Sequence, residues 1–312
     1  MSQRTRVNES ISLGVVLVTT FVSLFYLGLS ALLIGFKPEQ LVLVFIFNGM
    51  YYSSAFTRKF ITGFSIFIIY WIIFDYMKAF PNYKYHEVHI ESLYNAEKSV
   101  FGIQSGTTVL TPNEWWTAHR MVLLDLLSGI FYLCWIPVPL AFAAYLFFRN
   151  RKLFLEFSIT FFLVNIIGFI VYYMYPAAPP WYVQYNGFDF NAATPGNTAG
   201  LSRFDELIGA PVFHSLYAKG SNVFAAMPSL HSSYPLIVLF YGIKGRLGVM
   251  NVLFFLIMCG IWFSAVYSCH HYVLDVIAGI FCAITGIFLF QKWLSTHSSE
   301  GGIFYRMLRQ IG

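Results

Sequence analysis

The chain has 312 residues, of which 58% are hydrophobic, 20% aromatic and only 11% charged. A soluble domain is about a quarter charged, so this composition excludes one and requires most side chains to face lipid or pack inside a bundle. The net charge of +5 comes from short Lys/Arg clusters between apolar runs, without the basic face that binds nucleic acid.

Apolar runs of about 20 residues cross a bilayer as helices, and eight spans are predicted. A polar tail with Arg4 and Arg6 precedes Ile11–Phe36. That run is too long for the apolar region of a cleavable signal peptide and lacks a convincing cleavage site, so it reads as the first span. Lys37-Pro38-Glu39 turns into the short run Leu41–Phe56, and Thr57-Arg58-Lys59 separates this from Phe60–Met77. Two true spans are expected here, because a re-entrant hairpin would bury Arg58 and Lys59 in the membrane at high cost. Residues 78–120 form a mixed non-cytoplasmic or interfacial segment with an Asn113-Glu114 helix start and the Trp115-Trp116 pair, since tryptophan favours the membrane–water boundary.

Met121–Phe148 is the fourth span, with Pro137 and Pro139 expected to kink it. Arg149-Asn150-Arg151-Lys152 leads to Leu153–Tyr175. Residues 176–228 form a long non-cytoplasmic loop, of a length rarely left without function. Pro228–Ile243, Leu247–Cys269 and His270–Trp293 complete the set, before a basic tail with Arg306 and Arg309. No repeat is evident, and residues 1–312 read as one all-α polytopic membrane domain. Cys134, Cys259, Cys269 and Cys282 lie in or beside apolar runs at unrelated spacings, which fits packing and neither a disulfide framework nor a zinc site.

Cytoplasmic loops carry the excess of Lys and Arg. With the N-terminus inside, every short basic cluster is cytoplasmic: Arg58-Lys59, Arg149 to Lys152, Lys244 with Arg246, and both tails. The acidic Glu87, Glu91, Glu97, Glu114, Asp189, Asp205 and Glu206 lie outside. His231 then opens the sixth span and His271 the eighth, at the same depth on the non-cytoplasmic face. That face is the periplasm for a bacterial inner membrane, or the lumen for a Golgi membrane. Short tails, with the only Asn-x-Ser/Thr sequon (Asn8-Glu9-Ser10) on the cytoplasmic side, favour the bacterial setting.

Two motifs meet there, Met227-Pro228-Ser229-Leu230-His231 and His270-His271-Tyr272-Val273-Leu274-Asp275. Helical residues four apart share a face, so Asp275 is expected under His271. A carboxylate there fixes one imidazole tautomer and leaves the other nitrogen as nucleophile. His231 is the complementary acid–base group. Pro228 suits the first turn of a helix, which would aim the amides near Ser229 at an anion. The combination points to phosphoryl transfer through a phosphohistidine; a divalent-metal site of His231, His270, His271 and Asp275 is the competing reading.

These residues resemble the type-2 phosphatidic acid phosphatase superfamily, and within it the inositol phosphorylceramide synthases. The resemblance runs through Tyr175-Pro176-Ala177-Ala178-Pro179-Pro180-Trp181-Tyr182, Pro195-Gly196, Gly200 to Gly209, Val223 to His231 and His270 to Asp275. It covers roughly the C-terminal half of the chain. It implies a six-helix catalytic bundle, no cofactor or metal, a phospholipid donor and a ceramide-type acceptor in the bilayer; it says nothing of a protein partner. Phosphatases of the superfamily usually carry a Lys/Arg-rich first motif and an Arg six residues before the nucleophilic His, whereas here that position is Ala265. Fewer cations suit a phosphodiester better than a dianionic monoester, with Arg203 and Lys219 as those that remain.

The resemblance therefore implies phosphatidylinositol bound between Arg203, the region of Ser229, and the histidines, with His270 orienting its neighbours or touching phosphate. Pro180, Trp181 and Tyr182 are candidates to line lipid access. Asp75 and Asp125, costly inside a membrane, could accept polyol hydroxyls, or could instead pair with Arg120 or a tyrosine hydroxyl. The rival functions are a lipid phosphate or pyrophosphate phosphatase, a transferase of another headgroup, and a lipid channel. A channel would need polar lining in several spans.

Overall fold

The computed structural model describes residues 12–218, 222–297 and 302–312. Local chemistry sets where its helices begin. Ser12 caps α1 (Leu13–Ile34) by accepting from the Val15 amide, Pro38 sits in the first turn of α2 (Pro38–Ser53), and Ser54 caps α3 (Ala55–Tyr76). Thr57-Arg58-Lys59 is thus the first turn of α3 and not a loop; the break falls one turn earlier, at Ser54.

The mixed segment folds into α4 (Glu91–Phe101), a hairpin of β1 (Ile103–Ser105) and β2 (Thr108–Leu110), and α5 (Pro112–Ala118). The strands are antiparallel, with Gln104 opposite Val109. Thr111 and Glu114 form a reciprocal capping box at the start of α5.

The fourth expected span is divided into α6 (Val122–Leu133) and α7 (Pro137–Arg149), bent by 41° across Cys134 to Ile136. Pro137 lacks the amide that would continue α6, and instead starts α7, where no partner is needed. Asn150 caps α8 (Arg151–Met174). The long loop holds three short helices, α9 (Pro180–Asn186), α10 (Ser202–Ile208) and α11 (Val212–Tyr217). Then come α12 (Leu230–Lys244), α13 (Met250–Tyr267), α14 (Val273–His297) and α15 (Ile303–Ile311).

All eight expected spans are helical. Among the described residues five helices are long and apolar enough to cross a membrane, or six where the bent pair α6 and α7 counts as one span. The helices α2 and α12, of 16 and 15 residues, fall short of the roughly 20 residues a straight crossing takes. The chain that reads as one domain packs as two compact units: residues 1–79 with 303–312, and residues 80–302. In the first, α15 lies on α3, which also packs against α1 and α2. Asp75 there pairs with Lys78 at 2.7 Å.

In the second unit α12 packs against α13, α14, α8 and α7. Outside these helices the two irregular segments are joined to each other. The His89 amide donates to the Pro176 carbonyl at 2.8 Å, and the Ala178 amide to that of His89 at 3.1 Å. Ala177 in turn exchanges bonds with Phe224 and Ala226. Buried Asn82 donates to the carbonyls of Tyr172 and Phe224. Both segments thus form one layer over the ends of α8, α12 and α14.

The α12–α14 contact is backbone-close. A Cβ on Gly279 would stand 2.1 Å from the Ser229 carbonyl oxygen, so the close approach requires glycine. Gly279→Ala should destabilise the protein by about 1–3 kcal/mol through forced separation of the helices. Gly49→Ala, where nothing lies within 4 Å, should not. Thermal unfolding of both variants in detergent checks this.

Candidate active site

The site forms where the starts of α12 and α14 converge. The Ser229 amide donates to the Asp275 carbonyl at 2.9 Å. Ser233 Oγ donates to the Gly279 carbonyl at 2.6 Å. These bonds hold the two motifs in register. They also correct an expectation: α12 starts at Leu230, after a cis Met227–Pro228 peptide, so Pro228 is not in the first helical turn. Ser229 is fully buried, with its amide engaged and its hydroxyl accepting from Ser232. The amide is therefore not free to receive an anion.

The turn carrying His270 and His271 follows α13. Both histidine amides donate to the Ala265 carbonyl, at 3.1 and 3.0 Å. His271 lies two residues before α14 and not on it, so Asp275 reaches it from the helix's first turn. Asp275 Oδ2 accepts from the Tyr272 amide at 2.8 Å and stands 3.5 Å from His271 Nδ1. That is ion-pair range, longer than a tight hydrogen bond; such catalytic contacts commonly close when substrate binds.

On the other side of the ring, His271 Nε2 is 3.0 Å from His231 Nδ1. The same His231 nitrogen is 3.2 Å from the Tyr132 hydroxyl. Burial lowers His271 to about 4 and His270 to about 3, so both rings are neutral at neutral pH. A neutral His271 has a lone pair for attack on an electrophile. His270 is engaged by the Thr198 carbonyl at 2.9 Å and stacks against Tyr132 and Tyr217. It braces the ring beneath His231.

The remaining expected site residues divide. Arg203, on α10, donates from Nε to Asp125 Oδ1 at 2.6 Å, and the Tyr267 hydroxyl donates to the same oxygen at 2.9 Å. Asp125 therefore pairs with Arg203 and a tyrosine, while Arg120 Nε donates to the Thr117 carbonyl. Arg203 Nη2 is buried without a hydrogen-bond partner among the described residues, so a donor remains for a phosphate oxygen. Pro180, Trp181 and Tyr182, candidates to line lipid access, face the interior. All three are buried, and the Trp181 amide donates to the Cys269 carbonyl just before His270 and His271. Lys219 lies outside the described residues. Among the described residues no group of three or more His, Cys, Asp or Glu is arranged to hold a metal ion.

Three contributors escaped the sequence reading. Tyr132 belongs to a buried polar stripe on α6, Asp125-Ser128-Gly129-Tyr132, whose helical spacing was legible. Asn113 donates to the carbonyls of Val266 and His271, at 2.8 and 2.9 Å. Glu97 accepts from the amides of Val273 and Leu274. Both of the latter come from the segment taken as interfacial.

Comparison with known proteins agrees with this geometry. The profile described as the PAP2 superfamily matches residues 102–289. Phosphoinositol dihydroceramide synthase of Bacteroides thetaiotaomicron is 43% identical over 288 residues, spanning 92% of this chain and 94% of that protein. Inositol phosphorylceramide synthase of Candida albicans is 28% identical over 229 residues, 64% of this chain and 48% of the other. The inositol phosphorylceramide synthase catalytic subunit AUR1 of Saccharomyces cerevisiae is 33% identical over 136 residues, 43% of this chain and 33% of that one. No solved structure matches.

Asp125→Leu leaves the Arg203 guanidinium without its counterion and should cost about 3–5 kcal/mol, whereas the double change Asp125→Leu with Arg203→Met should recover much of that loss. Unfolding midpoints of the three proteins decide it; equal losses in single and double variants would mean the pair is not coupled.

Proposed function

The chain belongs to the PAP2 superfamily, and on that premise we propose that it moves phosphoinositol from phosphatidylinositol to dihydroceramide or ceramide, releasing diacylglycerol. The observation that carries the reading is the direct His231–His271 contact with Asp275 behind it. The choice of lipids is supported by the relative that matches 92% of the chain and is named for phosphoinositol and dihydroceramide.

In the first step His271 Nε2 attacks phosphorus and the bond to the diacylglycerol oxygen breaks. His231, protonated when the anionic phosphodiester binds beside it, delivers its proton to that oxygen, so neutral diacylglycerol leaves and His231 becomes neutral. The phosphorylated His271 ring carries positive charge, which the Asp275 carboxylate stabilises through Nδ1–H. In the second step the acceptor's primary hydroxyl gives its proton to His231 and its oxygen attacks phosphorus. The P–N bond breaks, and both histidines return to their starting states. Arg203 Nη2 donates to a non-bridging oxygen, where a charge-assisted bond stabilises the developing charge.

Transfer to lipid rather than to water is favoured by the environment of Ala265. This residue is fully buried among Tyr132, Leu201, Phe204 and Phe213, where phosphatases of the family usually carry an arginine. The phosphate thus meets one fewer cation, which suits a singly charged diester. We take the site to open on the non-cytoplasmic side. The basic turns Arg149 to Lys152 and Lys244 to Arg246 lie at the ends of α7 and α12 away from His231, and such clusters stay in the cytoplasm.

Membranes containing the protein, given phosphatidylinositol labelled in its inositol ring together with dihydroceramide, should yield labelled sphingolipid. Label released as water-soluble inositol phosphate with no labelled sphingolipid would point to hydrolysis and end the transferase reading. His271→Ala should lower turnover at least about a thousandfold while the protein still folds, since the nucleophile is lost.

A further inference from the structure

We propose that Glu97 is a positioning residue for the nucleophile. Its buried carboxylate, brought by α4, receives the first amides of α14 and so sets where His271 and Asp275 stand. The inference rests on the phosphohistidine reading above for its catalytic meaning, and on the following geometry for its existence.

In the turn that bears the nucleophile each backbone amide from His270 to Leu274 has an acceptor. Those of His270 and His271 donate to the Ala265 carbonyl. That of Tyr272 donates to Asp275 Oδ2. Those of Val273 and Leu274 donate to Glu97 Oε1 and Oε2, at 2.9 and 3.0 Å. Every acceptor but Glu97 belongs to α13, the turn or α14 itself. A helix normally satisfies its first amides with a Ser, Thr, Asp or Asn just before it, but here that residue is Tyr272, whose side chain cannot fill the role. A carboxylate from another helix does so instead, and in its ionised form it also suits the positive end of a 25-residue helix. Asn113 holds the other side of the turn through the His271 carbonyl. With the 3.5 Å gap between His271 Nδ1 and Asp275, small shifts in this turn decide whether that contact closes.

Glu97 has none of its surface exposed. Burial raises its carboxyl to about 7, the amides of Leu274 and Val273 oppose that rise, and the charge of Asp275 adds to it. Asp275 on α14 faces it, and Tyr272 in the turn lies in the field of Glu97, Asp275, Glu114 and Tyr94, with Lys98 next to Tyr94 on α4. No lysine or arginine is bonded to Glu97 among the described residues. Below pH 7 a protonated Glu97 offers the two amides a weaker pair of acceptors, so its contribution to turnover is present above about pH 7 and lost as pH falls through that value. His271, lowered to about 4, titrates well below this window. Glu97 lies outside residues 102–289, the stretch matching the family profile.

The test is Glu97→Gln, which keeps the shape but replaces one acceptor oxygen by a donor. Turnover should fall about a hundredfold, the loss expected of a misplaced reacting group, with KM for phosphatidylinositol changed less than about threefold. The acid limb of the turnover–pH profile near 7 should disappear. Glu97→Asp, which retains two acceptor oxygens, should recover part of the activity. A second readout needs no substrate: carbethoxylation of His271, followed by mass spectrometry, should be faster in Glu97→Gln than in the parent. Unchanged turnover and unchanged His271 modification in Glu97→Gln would overturn the proposal, as would equal losses in the Gln and Asp variants with an unmoved pH profile. If the parent protein transfers no phosphoinositol, the proposed reaction fails, and the Glu97 inference is still decided by the rate of His271 modification.

Discussion

The active site depends on how closely α12 and α14 approach. Gly279 lets the backbone of Ser229 touch α14, and the bonds from the Ser229 amide to Asp275 and from Ser233 to Gly279 lock the two helix starts in register. With that contact His231 and His271, 40 residues apart in sequence, stand 3.0 Å apart. A side chain at Gly279 would separate them. Small residues at helix contacts serve this purpose in membranes, where apolar lipid offers no hydrophobic drive to pull helices together.

Above this contact lies a layer that turns a helix pair into a site. Residues 80–120 and 176–228 pair with each other through His89, Ala177 and Ala225, and together they press on the turn after α13. Trp181 holds the Cys269 carbonyl, Thr198 holds His270, and Asn113 and Glu97 hold the residues on either side of Tyr272. The turn has one left-handed residue, Cys269 (φ 62°), a conformation that needs surrounding support. Rigid support of the reacting group, rather than the group alone, is what separates a histidine pair from a phosphate-transfer site.

The charged residues follow the same economy of place. Asp125, read from the sequence either as a binder of hydroxyls or as a partner of Arg120 or a tyrosine, is the counterion and orienter of Arg203, with the Tyr267 hydroxyl as third member. Asp75 makes only a short-range pair with Lys78. A carboxylate in an apolar bundle has to find a partner or lose its charge, and each of these has found one near by. Sequence distance gave no hint of the Asp125–Arg203 pair, whose members are 78 residues apart.

Hydropathy located the eight helical runs, because a long apolar stretch in a bilayer can satisfy its backbone in no other way. Proline at position 137 likewise announced a break, since it carries no amide to continue α6. That His231, His271 and Asp275 come together was legible because the two motifs each open a late apolar run, and the charge pattern of the turns predicted both openings at one end of the bundle; the structure brings the three side chains into contact. The sequence did not reveal that Pro180, Trp181 and Tyr182 are buried, that the Ser229 amide is occupied by Asp275, or that the first three helices pack with α15 as one unit. Nor did it single out Glu97 or Asn113 from other polar residues of an irregular segment. Those outcomes were decided by tertiary structure, because a hydrogen-bonding group's role depends on which partner the folded chain brings within about 3 Å, and local periodicity carries no record of that partner.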